Sequence, residues 1–248
     1  MKEKILLFDI ETAPNLGYCW GKWEQNMLSF VRERYLISFA YKWLGEGGIK
    51  VKSLRTCPGK KLHEDYFLVR ELWRLLNQAE VVVAHNGRDF DCKLSKAFFI
   101  KHQLKPCRPF KLIDTKLVAK RNFFFNSNSL NDLCQYLGIG KKVKHSGFNM
   151  WLECMQGDED ALRRMEFYNK HDIVLLEAVY LRMRPFMDNH PNMNVLRERS
   201  VICPNCGGKV MQKRGWHITR VSRAQRYQCR NCGAWSFGKL QRNDVELR

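Results

Sequence analysis

The sequence lacks a long hydrophobic run: no stretch approaches the ~20 consecutive apolar residues that a membrane-spanning helix requires. Internal repeats and low-complexity segments are absent as well. The first residues lead into a short strand-like segment, not into the apolar core of a signal peptide. With 45% hydrophobic and 12% aromatic residues, the composition argues against disorder. We therefore expect a globular, cytoplasmic protein without a membrane partner.

Acidic residues are scarce relative to basic ones. Lysine and arginine outnumber aspartate and glutamate by 43 to 25, and the formal net charge is +18. Such a surface attracts polyanions. The charge balance therefore favours a nucleic-acid partner over a protein that is merely basic.

The chain length and the apolar pattern indicate a fold class. The 248 residues are enough for one medium-sized domain and a small appendage. The pattern predicts strands at 4–10, 35–43, 49–55, 81–84 and 111–114. It predicts helices at 62–79, 91–103 and 129–138, and either one long helix or two abutting helices at 161–183. This order indicates an α/β fold in which helices flank a mixed β-sheet. A polar, proline-containing breaker then predicts a main domain at 1–188, a linker at 189–199 and a basic tail module at 200–248.

Acidic side chains stand at the ends of two predicted strands. Asp9 and Glu11 end the first strand, where side chains two residues apart point to the same face and can hold one cation. Asp91 follows the strand at 81–84 and precedes a helix, at the edge of the sheet where α/β proteins commonly bind ligands. Taken singly, the pair Asp9 and Glu11 is also compatible with the solvent-exposed end of an edge strand. The second motif is compatible with a helix N-cap, at Asp91 or at Asp89.

A further acidic position lies in the last long helix. Tyr168 and Asp172 are four residues apart, so the hydroxyl and the carboxylate lie on one helix face. Alone, such a pair is more often structural than functional. Its significance comes from its place after the two earlier motifs.

Together the three motifs resemble those of the DEDD exonucleases, a ribonuclease H-like group that includes the proofreading domains of DNA polymerases. The matching segments are Phe8-Asp9-Ile10-Glu11-Thr12, Asn86-x3-Phe90-Asp91 and Tyr168-x3-Asp172. Tyrosine in the third motif is typical of the DEDDy branch, whereas the histidine branch would have histidine in place of Phe167. Segments 112–115 and 129–133 also resemble stand-alone relatives of the family B polymerase exonuclease domain.

The resemblance implies a site for two Mg²⁺ or Mn²⁺ ions, hard cations that prefer carboxylate oxygens. Asp9, Glu11 and Asp172 would hold the cation that binds the attacking water, and Asp9 would bridge to a second cation that Asp91 supports. Tyr168 would orient the water. A tyrosine with an ordinary pKa near ~10 is mostly a hydrogen-bond donor at neutral pH, which favours orientation over base catalysis. These five residues are the predicted catalytic set.

Contacts to the substrate are less specific in the sequence. The candidates are Thr12, Asn86, Lys142, Lys144, Arg214, Trp216 and Arg220. Asn86 either contacts the terminal nucleotide or caps a turn. Lys142 and Lys144 belong to a basic loop with Lys141 and His145. This loop either holds substrate phosphates or is a group of charged residues that is only exposed to solvent.

Four of the ten cysteines form two Cys-x2-Cys-Gly pairs. The pairs are Cys203 with Cys206 and Cys229 with Cys232, a spacing typical of a tetrahedral site for one structural Zn²⁺. The predicted strands of this zinc ribbon are 209–211, 216–221 and 226–228. So small a module cannot bury enough core by itself, and zinc binding would supply the missing folding free energy. The two matched pairs disfavour the alternative of a redox dithiol.

From these motifs and the resemblance we expect a 3′→5′ exonuclease that hydrolyses single-stranded nucleic acid from its 3′ ends to nucleoside 5′-monophosphates, with DNA favoured. Its basic, aromatic-containing ribbon would bind nucleic acid or dock onto a replication or repair protein. Two alternatives stay open. One is a catalytically inactive ribonuclease H-like protein that binds nucleic acid through its ribbon, and the other is an RNA-processing exoribonuclease with the same site.

Overall fold

The computed structural model describes residues 4–21, 23, 26–58, 62–144, 146–196 and 201–242. His145 of the predicted basic loop lies outside the described residues, as do 197–200 and 243–248 of the predicted linker and tail. Contacts between Cα atoms divide the chain into two compact units, Lys4–Leu117 with Phe125–Val179, and Val118–Phe124 with the chain from Tyr180 onward. The domain boundaries at 188 and 199 stay a prediction.

The larger unit contains a five-stranded sheet and a separate hairpin. Its strands are β1 (Ile5–Thr12), β2 (Leu16–Tyr18), β3 (Ser29–Arg32), β4 (Leu36–Trp43), β5 (Lys50–Ser53), β6 (Val81–Ala84) and β7 (Lys111–Asp114). The strand order of the sheet is β5-β4-β1-β6-β7. β1 is antiparallel to β4 and parallel to β6, which is parallel to β7, so the sheet is mixed. β2 and β3 pair only with each other.

The central position of β1 follows from its composition. Leu6, Leu7 and Phe8 are all fully buried, although successive side chains of a strand point to opposite faces. Both faces of the strand are therefore covered, which is typical of a central strand in a sheet flanked by helices. Burying each of these side chains stabilises the fold by about 1.5–3 kcal/mol.

Seven α-helices lie along the described part of the chain. They are α1 (Tyr66–Leu76), α2 (Asp91–Lys101), α3 (Thr115–Asn122), α4 (Leu130–Tyr136), α5 (Asn149–Met155), α6 (Glu159–Met183) and α7 (Met193–Leu196). The Ser129 hydroxyl caps α4 by accepting from the N–H of Asp132, as its position predicts. Among the described residues, no helix combines the length and the apolar composition that a membrane span requires.

The predicted α/β fold, with a mixed sheet flanked by helices, is confirmed. The helix predicted at 62–79 begins only at Tyr66, because the preceding residue, Asp65, points its carboxylate inward to accept from the N–H of Leu36 at 2.8 Å. The hairpin of β2 and β3 was not predicted. Its residues are largely exposed, so no alternation of apolar and polar residues marks it in the sequence.

The smaller unit contains a second sheet with β9 at its centre. Its strands are β8 (Met211–Ile218), β9 (Ser222–Cys229), β10 (Trp235–Phe237) and β11 (Gln241–Arg242). β8 pairs with one edge of β9, and β10 and β11 pair with the other. The predicted strand bounds in this module are wrong, because β8 and β9 form one long hairpin that turns after Thr219. A bulge between Lys213 and Trp216 shifts the register of this hairpin and hides it in the sequence pattern.

Candidate functional site

Two carboxylates of the candidate site are carried by β1. Asp9 and Glu11 lie opposite Ala40 and Ser38 of β4 and share one face of the sheet. Asp172 of α6 joins them, and one oxygen from each of the three carboxylates lies within 4.8 Å of the others. A cluster made only of carboxylate oxygens suits Mg²⁺ or Mn²⁺.

Asp172 is nearly buried, and its two oxygens have different surroundings. Oδ2 accepts a hydrogen bond from Nζ of Lys142 at 2.7 Å. Oδ1 is buried and accepts no hydrogen bond from any residue that the structure describes. Leaving a buried acceptor unpaired costs about 1–3 kcal/mol, and more when the group is charged. A bound cation would give this oxygen its missing partner, so the donor set fits a metal ion.

Asp91 is placed close to the same strand but in a different way. It is the first residue of α2 and is buried, and its Oδ1 accepts from the N–H of Ile10 at 3.2 Å. Ile10 lies between the two acids of β1, so Asp91 reaches that strand from the neighbouring α2. It is not one of the three acids that converge within 4.8 Å. Asp89, the competing position, is exposed and pairs with Lys93 at 3.2 Å.

Burial and mutual repulsion shift the protonation of these acids. Burial, followed by the charges of Asp91 and Glu11, raises the pKa of Asp9 well above its usual range. Burial and then Asp172 raise the pKa of Glu11 to about 8. Burial also raises the pKa of Asp91 to about 7, against the lowering effect of the hydrogen bond from Ile10. Carboxylates this close repel one another unless protons or cations compensate their charge, which is the electrostatic setting of a divalent-cation site.

Lys142 places a positive charge inside the acidic cluster. In addition to its bond with Asp172, Nζ donates to the hydroxyl oxygen of Tyr168 at 3.1 Å. Burial opposes the charge of this lysine, but Asp172 and Tyr168 hold the pKa of Lys142 above its ordinary value. Burial, and then Asp172, raises the pKa of Tyr168 to about 12, so the hydroxyl is protonated at neutral pH. The structure thus brings Lys142, predicted as a substrate contact, against two members of the predicted catalytic set.

Asn169 is a site residue that the sequence pattern did not single out. Its side chain is fully buried, and Nδ2 donates to Oδ2 of Asp9 at 2.6 Å. Its Oδ1 accepts from the hydroxyl of Ser38 at 3.1 Å, which fixes the orientation of the amide. Asn169 lies three residues before Asp172 on α6, so helical spacing alone contained a signal that both side chains share one face.

Asn86 lies in a loop that a single aspartate holds in place. Asp114, at the end of β7, accepts hydrogen bonds from the N–H groups of Asn86, Arg88 and Lys116 at 2.9–3.0 Å. Asn86 has a φ of 66°, a left-handed conformation that asparagine tolerates better than most residues. Its side-chain oxygen accepts from Nζ of Lys116 at 3.2 Å. A contact between Asn86 and a nucleotide stays a prediction.

A groove of about 640 Å³ opens beside Tyr168. Its lining combines apolar side chains with cations: Val143, Lys144, Met150, Arg164, Phe167 and Tyr168. Glu153, on the same wall, pairs with Arg164, whereas Lys144 lies exposed on the rim. The groove is open to solvent and is not a closed cavity.

Thr12, another predicted substrate contact, ends β1 opposite Leu36, just past a bulge.

The four paired cysteines converge on one point of the smaller unit. Their sulfurs lie within 4.8 Å of one another, and the Cys203–Cys232 and Cys206–Cys229 distances are both 3.7 Å. A tetrahedral zinc site with Zn–S bonds of ~2.3 Å requires sulfur separations of ~3.8 Å. The geometry therefore fits one Zn²⁺ with no open coordination position.

Backbone N–H groups donate to two of the four sulfurs, whereas burial raises the pKa of the Cys203 and Cys232 thiols. The N–H groups of Gly208 and Asn231 donate to Sγ of Cys206 and Cys229, both at 3.3 Å. Burial raises the pKa of Cys206, but the donors from Asn231 and Gly208 outweigh it and lower that pKa to about 7. A Cβ atom at Gly208 would lie 3.2 Å from the sulfurs of Cys206 and Cys229, closer than most Cβ contacts, so glycine allows the close approach without displacing these sulfurs.

Three predicted substrate contacts lie on the long hairpin of the smaller unit. Arg214 is in the bulge of β8, Trp216 follows it, and Arg220 is in the turn before β9. The guanidinium of Arg223 lies 4.7 Å from the ring centre of Trp216. The hairpin thus combines cationic and aromatic side chains. A contact between these residues and nucleic acid stays a prediction.

Comparison with known proteins identifies the family to which this chain belongs. The solved structure of the family B DNA polymerase from the hyperthermophilic archaeon Pyrobaculum calidifontis is similar in fold, with a TM-score of 0.50 and 14% sequence identity. The similarity covers 75% of this chain and 25% of the polymerase, so the chain spans about a quarter of that protein. No curated protein sequence matches. The family model of the RNase H superfamily matches residues 6–184, and the chain therefore belongs to the RNase H superfamily.

Proposed function

We propose that this chain is a 3′→5′ exonuclease that removes nucleoside 5′-monophosphates from the 3′ ends of single-stranded nucleic acid, with DNA favoured. The observation that carries the proposal is the convergence of Asp9, Glu11 and Asp172, with an unpaired, buried oxygen on Asp172. Lys142 pairs with only one of these three acids, so a further cation is needed before all three can carry a negative charge together.

Asp9, Glu11 and Asp172 would hold one Mg²⁺ or Mn²⁺ ion, and Asp91, which reaches the same strand, would support a second. When bound, these ions would offset the charge of the phosphodiester and of its leaving oxygen, and would lower the pKa of the attacking water. Asn169 holds one oxygen of Asp9 and so keeps that carboxylate aimed at the cluster. The chain's own contribution is therefore a set of acids in a fixed orientation, which favours catalysis by pre-organisation.

Tyr168 and Lys142 extend the acid cluster towards the substrate. With a pKa of about 12, Tyr168 keeps its proton and can donate a hydrogen bond to a water, which orients the water without removing its proton. Lys142 neutralises Asp172 in the absence of other cations. Once cations occupy the acids, its ammonium group would turn to a substrate phosphate, together with Lys144 on the rim of the groove.

The smaller unit would anchor the substrate. Residues 201–242 contain no aspartate or glutamate, and their cations are Lys209, Lys213, Arg214, Arg220, Arg223, Arg226, Arg230, Lys239 and Arg242. Together with Trp216, these charges suit contact with a nucleic-acid backbone and its bases. Docking onto a replication or repair protein is the alternative partner for this ribbon. In either case the Zn²⁺ would be structural, since four thiolates leave no position for a substrate.

Two other functions share the same fold. An inactive ribonuclease H-like protein that binds nucleic acid is less favoured, because all four acids and Tyr168 are present. An exoribonuclease would use the same acids, since selection by the 2′-hydroxyl depends on the shape of the pocket.

A degradation assay distinguishes these functions. Single-stranded DNA and RNA, each labelled at the 5′ end, would be incubated with Mg²⁺ or Mn²⁺. We expect a ladder that shortens from the 3′ end with wild-type protein and disappears with Asp172→Asn. The matched control is Asp160→Asn, an exposed acid of the same helix that pairs with Arg163. Cleavage by Asp172→Asn would contradict the site, and the faster substrate would assign DNA or RNA.

A further inference from the structure

The hairpin of β2 and β3 exposes large apolar side chains on both of its strands. Tyr18 is 68% exposed, Trp20 89% and Phe30 54%. The aliphatic residues Leu28 and Val31 are exposed beside them. We call these five residues the aromatic hairpin. Several large apolar side chains exposed on one short element are unusual and indicate an interaction site. A lone two-stranded hairpin is also only marginally stable in water, so a partner is expected.

The aromatic hairpin directly follows β1, the strand that carries the candidate catalytic acids Asp9 and Glu11. The N–H of Ala13 donates to the oxygen of Tyr35 at 2.9 Å, immediately beyond the last β1–β4 pair, Thr12 with Leu36. A second hydrogen bond at the base of the hairpin joins its two strands: the side-chain oxygen of Asn15 accepts from the N–H of Arg34 at 2.8 Å. The hairpin therefore leaves the sheet at the end of β1 where the acids lie, and its base is held by two cross-strand hydrogen bonds.

The pairing register points the two strand aromatics to opposite faces. Phe30 pairs with Gly17, and Tyr18 pairs with Ser29, so neighbouring pairs of the ladder alternate between the faces of the hairpin. Each ring stands opposite a residue with little or no side chain. A flat protein partner would cover one face and leave the other ring in water. Planar bases can instead stack on a ring from either side.

Charge also favours a nucleic-acid partner. The chain as a whole carries a formal charge of +18, which concentrates polyanions near its surface. Arg32 and Arg34 lie at the base of the hairpin, with the exposed Glu33 between them. These two arginines can contact the phosphates of a strand that passes the base of the hairpin, while its bases reach the rings.

We propose that the aromatic hairpin binds unpaired bases of the single strand whose 3′ end lies at the acid cluster. This inference rests on the proposed exonuclease function, because that function places the strand beside β1. The rings of Tyr18, Trp20 and Phe30 act as stacking platforms for nucleotides upstream of the scissile bond, and they hold the strand without reading its sequence.

Binding and turnover together test the proposal. Binding would be measured by fluorescence anisotropy with Ca²⁺ in place of Mg²⁺, on a strand of thymidines and on the same strand with abasic spacers upstream of its 3′-terminal nucleotide. Turnover would be measured on the p-nitrophenyl ester of thymidine 5′-monophosphate, which has a scissile phosphodiester but no upstream base. The full-length variants are Tyr18→Ala and Trp20→Ala, with Trp20→Phe as the conservative replacement. Tyr136→Ala, at an exposed aromatic outside the hairpin, is the matched control.

We expect each alanine variant of the hairpin to weaken binding of the thymidine strand on the order of tenfold, since stacking on one ring contributes an effect of that size. Binding of the abasic strand and turnover of the ester should not change, and Trp20→Phe should retain most of the affinity. Unchanged binding of the thymidine strand in both alanine variants would overturn the inference. If the wild-type protein cleaves neither strand nor ester, the proposed exonuclease fails, and base-dependent binding by the hairpin is still decided by the anisotropy measurement.

Discussion

Replacing Lys142 tests the electrostatic reasoning about the acid cluster. Lys142→Met keeps a side chain of similar length but removes the ammonium group that lies 2.7 Å from Asp172. Removing one partner of a fully buried ion pair costs about 3–5 kcal/mol, whereas an exposed pair contributes at most about 1 kcal/mol. The side chain of Asp172 is 3% exposed and that of Lys142 is 32% exposed, so this pair lies between the two limits. We expect the metal-free variant to be less stable by about 2 kcal/mol.

The same loss of stability should reappear as a gain in metal affinity. If the lysine must leave Asp172 before a cation can bind, wild-type protein loses that interaction on binding and the variant does not. A difference of about 2 kcal/mol corresponds to about 30-fold tighter Mg²⁺ binding by Lys142→Met. Melting in the absence of divalent cations should fall by about 4–8 °C, and saturating Mg²⁺ should restore most of the difference.

Thermal denaturation with increasing Mg²⁺ measures both effects in one experiment, and isothermal calorimetry gives the affinity independently. Lys144→Met is the matched control, because Lys144 lies in the same loop but is exposed. It should change neither the metal-free melting temperature nor the affinity by a measurable amount. If Lys142→Met binds Mg²⁺ as weakly as the wild type, or more weakly, the lysine does not compete with cations and the reasoning is refuted.

Three further predictions concern the remaining parts of the site. Tyr168→Phe should slow single-turnover cleavage by about 10- to 100-fold without abolishing Mg²⁺ binding, since it removes the hydroxyl that would orient the water, and a wild-type rate would remove that role. Cys229→Ser should abolish zinc binding, as measured by atomic absorption, and weaken strand binding more than the chemical step; hydrogen exchange that shows an ordered ribbon without zinc would contradict this. The pKa of Glu11 is raised from 4.5 to about 8, so between these pH values the folded chain binds more protons than the unfolded chain. Without metal, the contribution of Glu11 to the free energy of unfolding therefore falls as pH rises from about 4.5 to about 8. Melting in EDTA across this range should show a smaller decline for Glu11→Gln, and Mg²⁺ should bind more tightly as pH rises; identical pH curves for the two proteins would be inconsistent with the shift.

Much of the fold could be predicted because the relevant signals are local. The run Leu6-Leu7-Phe8 identifies a strand buried on both faces, and Ser129 with Gly138 marks the bounds of a helix within a few residues. Local signals are weaker where tertiary contacts override them. α1 begins late because the side chain of Asp65 bonds to β4, and the long ribbon hairpin is hidden by the bulge before Trp216.

In the candidate site, too, some residues could be predicted from local sequence signals and others depend on tertiary contacts. Residue types and short spacings, such as those of Asp9 with Glu11, identified the acids and the cysteine pairs before any contact was known. Helical spacing does not tell which loop covers a helix, so the position of Lys142 on Asp172 had no signal in the sequence. The same limit applies to the clamp that Asp114 forms on the loop at Asn86.

The sequence by itself determined the chemistry that this protein can use: four acids and a tyrosine in a recognisable order, four thiols at zinc spacing, and a strongly basic surface. Only the tertiary structure decided that Asp172 meets Asp9 and Glu11 with one oxygen unpaired, and that Asn169 orients Asp9. It also decided that aromatic rings stand exposed on the hairpin that follows the strand of Asp9 and Glu11. The physical reason is that periodicity encodes which side of an element a residue occupies, whereas the contacts between distant elements follow from how those elements pack together.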